Sequence, residues 1–439
     1  MKPEPLIRVM GTLTLAAAIV NITIGGGIFR LPANVAGSLG AAAPIAYLVC
    51  AVAMGLIVLC IADAGSRVSL TGGPYAYVGT AFGPFAGFIS GVMLWMLGTF
   101  AAAAVSTVFA TSVGHLVPAL GTALMQALTL IGAFAFWSII NVRGVTLGVS
   151  LNSLATVAKL LPLVLLALGG AFFIQGGNLQ WTAPAAADVA RTSLLLIFAF
   201  AGLEVALVPS GEVRDTARTV PRAIALAMLG ITALYIALQV VSQGVLGGSL
   251  AGTVTPLADA AGASLGGWAR GLLLVGAAVS MFGYIGGMTL SMPRMLYAFA
   301  RDGFLPARLA AVHPTFRSPH LAIGIQSALT VALAVSGTFE KLAIFANVSA
   351  LALYFGCALA AWRLRALGVA AEGAAPFRVP LAPVVPWLAC AVILWLLTGL
   401  NRDEWLGFVA CLALGTIVYV ATRASRQARV SQDPDKVLS

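Results

Sequence analysis

The run Ile24-Gly25-Gly26-Gly27-Ile28-Phe29 sets three glycines in the middle of an apolar span reaching from about Gly11 to Ala36. That span is long enough to cross a bilayer, which takes ~20 apolar residues. Each glycine disfavours helix by ~1 kcal/mol relative to alanine, so three together predict a break. A helix broken at mid-membrane leaves N–H and C=O groups that lipid cannot satisfy. Such a break persists only where protein buries it or where it lines a polar cavity. The stretch therefore predicts peptide groups free to grip something halfway across a membrane. Close helix packing, for which small residues are also used, is the plainer alternative.

The remainder of the chain supports the membrane setting. Only 9% of its 439 residues are charged and 60% are hydrophobic, against ~25% charged residues in soluble proteins. About twelve apolar spans follow one another from 11–36 to 405–422, joined by short charged or Pro/Gly-rich connections, which predicts an all-α polytopic membrane protein. No polar block is long enough to form a soluble domain. The net charge of +10 is spread over loops rather than gathered on one helix face, so it argues against a nucleic-acid partner. Taken loop by loop, it becomes a topology signal. Arg67, Arg143, Arg214, Arg218, Arg222, Arg301, Arg308, Arg317, Arg363, Arg365 and Arg378 fall on one side, and Arg191, Arg270, Lys341 and Arg402 on the other. Positive loops stay inside, so both termini are expected in the cytoplasm, with a cell (cytoplasmic) membrane location. The N-terminal apolar run continues through the glycines to Pro32 and is expected to remain as a first helix rather than to be cleaved. The five cysteines sit in apolar spans without metal-ligand spacing and the three histidines are scattered. No metal, cofactor or enzymatic nucleophile–base pair is expected.

A second break is predicted in the sixth span, at Phe198-Ala199-Phe200-Ala201-Gly202-Leu203-Glu204. A carboxylate at the bilayer centre costs at least ~2.5 kcal/mol, so this segment faces protein or water. Breaks in the first and sixth spans, five helices apart, are the pointer to an inverted-repeat secondary transporter whose substrate lies where the broken helices meet. Lys159, in the middle of the fifth span, must find carbonyl partners, snorkel or lose its proton. An amine that titrates there is a candidate coupling site, the alternative being a structural lysine. Glu204 is either a second titrating group or a brace for the broken helix. Arg30, one turn past the glycines, can favour an anionic substrate group, pair with a carboxylate or reach an outer vestibule. Asp63 reads as an inner gate or packing partner.

Four motifs in order resemble the amino acid–polyamine–organocation (APC) superfamily of permeases. Ile24-Gly25-Gly26-Gly27-Ile28-Phe29 with Pro32 is similar to the family's I-G-x-G-I-F…P. Thr71-Gly72-Gly73-Pro74-Tyr75-Ala76-Tyr77 leading to Phe82-Gly83-Pro84 resembles its S-G-G-x-Y-x-Y…F-G loop. Phe200-Ala201-Gly202-Leu203-Glu204, followed by Glu212 and Val220-Pro221-Arg222-Ala223-Ile224, resembles the sixth-helix pattern. Ala300-Arg301-Asp302-Gly303-Phe304-Leu305-Pro306 resembles A-R-D-G-x-L-P. Asp215-Thr216 stands where the family usually has Asn-Pro.

The resemblance implies a five-plus-five inverted repeat (LeuT-like) with helices 1 and 6 broken. Repeats would cover 11–174 and 191–362, with 381–422 forming peripheral helices 11 and 12 of one transport domain. It implies that the α-carboxylate of an amino acid meets N–H groups around Gly25, Gly26 and Gly27. The α-amino group would meet carbonyls near Ile24 and across Phe198, Ala199, Ala201 and Gly202. Lys159 falls where proton-coupled members carry a fifth-helix lysine, and Glu204 matches the sixth-helix glutamate. Phe198 falls where the arginine-exchanging branch places an aromatic, and Met288 where an eighth-helix residue closes over substrate. The wall at Ala101–Ala104 is small and apolar. The expectation is therefore a proton-coupled carrier of neutral amino acids in a lipid bilayer. An amino acid or polyamine exchanger is the alternative, and a non-transporting nutrient receptor a more distant one. No disulfide-linked heavy chain is expected, and a homodimer stays open.

Overall fold

The computed structural model describes residues 11–68, 74–143, 159–180, 183–202, 216–316, 318–370, 376–377, 379 and 381–422. These residues form a helical protein with no strand among them. The helices are α1 (Thr12–Thr23), α2 (Gly27–Leu39), α3 (Ala43–Arg67), α4 (Pro74–Phe82), α5 (Pro84–Leu116), α6 (Ala123–Arg143), α7 (Lys159–Phe173) and α8 (Ala186–Phe200). They continue as α9 (Thr216–Leu246), α10 (Pro256–Leu265), α11 (Gly267–Arg301), α12 (His320–Ser336), α13 (Phe339–Ala366), α14 (Val385–Leu397) and α15 (Arg402–Ala421). Seven described helical runs are long and apolar enough to cross a membrane, and three shorter apolar helices accompany them. On the periphery Leu161, Leu168, Leu229, Leu414, Ile417 and Val420 are each more than half exposed. Apolar exposure on that scale suits a hydrocarbon solvent and not water. The protein is a multi-pass membrane protein.

Two helix groups share one core. In the first, α1 and α3 pack on α9, α3 packs on α8, and α2 packs on α8. In the second, α5, α6, α11 and α12 pack on one another. The helix α13 joins the two, lying along α5 on one side and against α3 and α8 on the other. Small residues allow the close approaches: a Cβ on Gly98 of α5 would overlap Met292 of α11, and one on Gly87 would stand 3.0 Å from the Gly79 backbone.

Two of the recognisable motifs serve this packing. Gly83 has φ +90° and Pro84 opens α5, so Phe82-Gly83-Pro84 is a turn followed by a proline-started helix. Gly303 has φ +85°, with its N–H on the Ala300 carbonyl and the Phe304 N–H on that of Phe299 at 2.7 Å. That is a left-handed glycine cap of α11. It turns Phe304 onto Phe88 of α5, ring centroids 4.1 Å apart. Arg301 and Asp302 pair with each other at the surface.

Candidate functional site

Both predicted breaks are present where the described chain covers them. The first helix stops at Thr23 and α2 begins at Gly27. Between them the Ile24 N–H still reaches Val20 and the Gly25 N–H folds back on Thr23 at 2.8 Å. The N–H groups of Gly26 and Gly27 have no carbonyl partner among the described residues. Pro32 lies inside α2 and gives that helix a second irregular point. In the sixth span α8 stops at Phe200, the Ala201 N–H closes on Ile197, and Gly202 takes φ +113°. Only glycine enters that conformation without strain. Glu204 lies outside the described residues, as do 71–73 and 212–215 of the other motifs.

The two breaks are brought together. A Cβ on Gly27 would stand 2.8 Å from the ring of Phe198 in α8. Tyr235 of α9, fully buried, donates its hydroxyl to Ala199 O at 2.9 Å and lies 3.4 Å from Thr23 O. One phenol thus spans the carbonyl ends of both interrupted helices, its single proton serving one of them at a time. Behind it Gln239 reaches Pro32 O at 3.5 Å and accepts from Tyr47 at 3.1 Å. The hydroxyl of Thr23 is buried and has no partner among the described residues. A buried hydroxyl without a partner is costly.

The three glycines are not equivalent. At Gly26 an added Cβ would meet Val105 of α5 at 2.8 Å and Met281 of α11 at 3.3 Å, whereas at Gly25 the nearest group is Tyr284 at 3.9 Å. Met281, Tyr284 and Met288 are three to four residues apart on α11 and share a face. This brings half-buried Met288 to the same side as the pair touching the glycines. Ala101 to Ala104 are buried in the turn before Val105. Phe198 is 8% exposed and meets Phe339 of α13 edge-on, centroids 5.5 Å apart. Lys159, at the start of the described part of α7, is 5% exposed, which places its stem inside the protein rather than against lipid.

Charged groups gather at the two ends of the helix assembly. At one end, the Arg30 Nη1 donates to Thr253 O and Val254 O, and its Nη2 stands 3.4 Å from Glu340 Oε1. Asn34 donates to that same oxygen at 3.2 Å. At the other end, Asp63 accepts from Arg67 at 3.0 Å through Oδ1 and from Arg365 through Oδ2. A third pair, Arg191 with Glu404 at 2.6 and 2.8 Å, ties α8 to the start of α15 in a two-pronged contact.

Known proteins decide the family at this point. The amino acid permease model matches residues 10–400, and a model of the permease C-terminus matches 377–426. The chain belongs to the amino acid permease family. Three curated relatives come from Bacillus subtilis. The permease is 26% identical to a methylthioribose transporter over 95% of its own length and 94% of the relative's. It is 26% identical to the branched-chain amino acid permease BcaP, over 95% and 93%. It is 29% identical to the serine/threonine exchanger SteT, over 88% and 89%. The permease is therefore a membrane transport protein of the APC superfamily and not an enzyme, as its motifs implied.

Tyr235, Tyr284, Val105 and Met281 escaped sequence reasoning. Each is an ordinary residue of an apolar span, and only the helix packing turns it toward the break. The partner of Arg30, Glu340, lies 310 residues away with no local signal linking the two.

Proposed function

We propose that this permease is a secondary-active carrier of neutral amino acids, working by alternating access across the cytoplasmic membrane. The observation that carries the reading is the junction of the two breaks: Phe198 on Gly27, and Tyr235 between Thr23 O and Ala199 O. The substrate carboxylate takes the free N–H groups at Gly26 and Gly27, at the positive end of α2. The ammonium takes carbonyls at Ile24, Ala199 and Ala201, with Phe198, Gly202 and Met288 completing the enclosure. The side chains that meet the glycines are Val105, Met281, Phe198 and Tyr284, none of them charged, which favours an aliphatic or small neutral side chain.

In this reading α1 with α2, and α8 with the chain beyond Gly202, are the discontinuous first and sixth helices of a five-plus-five repeat within twelve spans. The Arg30 end faces outward, and the Asp63 end and both termini face the cytoplasm. Burial of Lys159 supports its assignment as the proton-coupling group, with Glu204 as a second candidate or a brace. The relatives also favour a second reading, since SteT is named an exchanger. An exchanger needs no net proton flux.

Uptake of radiolabelled leucine, serine, glutamate and arginine into proteoliposomes tests both, with and without an imposed inward proton gradient. Gradient-stimulated uptake of leucine or serine is expected, and Lys159→Ala is expected to abolish the stimulation while binding persists. Unchanged pH dependence in Lys159→Ala would remove the lysine from coupling. Uptake seen only against a preloaded amino acid would establish the exchanger.

A further inference from the structure

The peripheral helix α15 is tied to a different helix group at each of its ends. Of its residues Gly415 alone is buried. Glu404, Gly407, Cys411, Gly415 and Tyr419 follow one another at intervals of three or four, so they form a single stripe. Along its middle the stripe is small. A Cβ on Gly407 would stand 2.6 Å from the Phe345 ring of α13, and one on Gly415 3.4 Å from Ile89 of α5. The strong contacts are at the two ends.

At the last turn Tyr419 joins an aromatic cluster of the α5–α11 group. Its ring centroid lies 5.0 Å from that of Phe85 and 5.6 Å from that of Phe88 in α5, and 5.9 Å from that of Phe304 at the cap of α11. At the first turn the Glu404 carboxylate, only 12% exposed, takes both Nη groups of Arg191 in α8. Arg191 Nη1 also donates to Gly399 O at 2.8 Å, and a Cβ on Gly399 would stand 3.1 Å from the Arg191 backbone. Glu404 and Asn401 cap each other's N–H groups, so the helix start that holds Arg191 is itself braced. Arg191 and Phe198 are seven residues apart on one unbroken run of α8 and share a stripe. Two turns of helix therefore carry any shift of Arg191 to the ring that covers Gly27.

We propose that α15 is a tether between the interrupted helix α8 and the α5–α11 group, and that Arg191 and Glu404 are positioning residues for the glycine junction. A helix held to one group at each end resists their separation at the Arg191 end. Its glycines let it lie close to α13 and α5 without locking into them, so the two end contacts carry the restraint. Release of either end frees the start of α8 to leave α5 and takes Phe198 off Gly27. The positioning role rests on the reading of the junction as the binding site of a carrier.

Pulsed electron spin distance measurements on the full chain in lipid nanodiscs test it. Nitroxides are placed on cysteines replacing exposed Asp188 of α8 and exposed His115 at the end of α5, in a Cys411→Ser background. The intact tether is expected to give one narrow distance. Glu404→Gln keeps the helix cap, since glutamine also serves there, and is expected to raise the population of a longer distance roughly tenfold, the weight of one charged hydrogen bond. Tyr419→Leu releases the opposite end and is expected to give the same shift. The two substitutions together should do no more than either alone, since a tether cut once is already cut. Affinity for radiolabelled L-leucine or L-serine is expected to fall in step in all three variants. Shifts that add, or a shift absent from either single variant, would overturn the tether. Unchanged affinity beside a shifted distance would overturn the positioning role. Binding of neither amino acid to the wild type would overturn the carrier reading, while the distances still decide the tether.

Discussion

The two ends of α13 carry ion pairs of opposite construction. At its first turn Glu340 meets Arg30 of α2, and roughly 38 Å along the helix, at its last turn, Arg365 meets Asp63 of α3. The Glu340 end is looser: its ion pair is 3.4 Å long, between side chains 24% and 36% exposed, with Asn34 sharing the same oxygen. The Asp63 end is closed: the carboxylate is 1% exposed and takes two guanidiniums, while Arg67 also donates to Val369 O and Arg365 to Ala382 O. Ser66 adds a contact, accepting the Phe377 N–H at 3.0 Å. Exposed pairs contribute ~0–1 kcal/mol, whereas removing one member of a buried pair costs about 3–5 kcal/mol. One helix is thus fastened firmly at one end and held more loosely at the other.

The largest effect is expected at the fastened end. Asp63→Asn leaves Arg67 and Arg365 facing each other without their shared carboxylate. It should lower stability by about 3–5 kcal/mol, read as the thermal unfolding midpoint of the detergent-solubilised protein. Replacing Arg365 with Met in the same background should recover part of that loss, because the pair of like charges is gone. A shift no larger than that of an exposed pair would make the two ends equivalent and remove the contrast.

A smaller effect is expected at the glycine junction, one turn from Arg30. Gly26→Val drives a branched side chain onto Val105 and Met281, and overpacking of this kind costs about 1–3 kcal/mol. Gly25→Ala meets nothing nearer than Tyr284 at 3.9 Å and should be close to neutral in stability. Equal losses from the two substitutions would show that the break, and not the crowding of Gly26 by α5 and α11, sets the requirement.

The unequal glycines show where sequence reasoning reached and where it stopped. The breaks at residues 24–26 and after Phe200 were legible because glycine in an apolar span acts locally, through helix propensity and the impossibility of bare peptide groups in lipid. Lys159 stood out because a lone ammonium in the middle of an apolar span is costly unless protein surrounds it. Which glycine is crowded was not, since Val105 and Met281 announce nothing until α5 and α11 pack. Asp63 with Arg67 could be read from their spacing of four on one helix. Arg365 and Glu340 could not, being brought to their partners from more than 300 residues away by the course of α13. Tyr235 was equally silent: a tyrosine in a span is ordinary until its hydroxyl is found between the carbonyls of two broken helices.

The smaller stability effect of the two ends, and the sharpest test of the contrast, is expected from the latch at Arg30. Arg30→Gln removes one long contact to Glu340 and the bonds to the Thr253 and Val254 carbonyls, all partly exposed, and should change stability by about 1–2 kcal/mol, less than Asp63→Asn. Its effect should appear in transport instead, as a raised rate of exposure of the junction to the outer side. A cysteine placed at Val105, beside Gly26, would report this through its labelling rate by a membrane-impermeant thiol reagent. The experiment is run in a Cys411→Ser background, because Cys411 is half-buried while Cys50, Cys60, Cys357 and Cys390 are buried. Arg30→Lys separates charge from shape: lysine keeps the positive charge but cannot hold the carbonyls of Thr253 and Val254 and reach Glu340 with one planar fork. If Arg30→Lys labels as fast as Arg30→Gln, the latch is the fork and its grip on the 253–254 backbone. If it labels as slowly as the wild type, the attraction to Glu340 alone holds it. A loss of stability in Arg30→Gln as large as that of Asp63→Asn would make the Arg30 end a second fastening and remove the contrast.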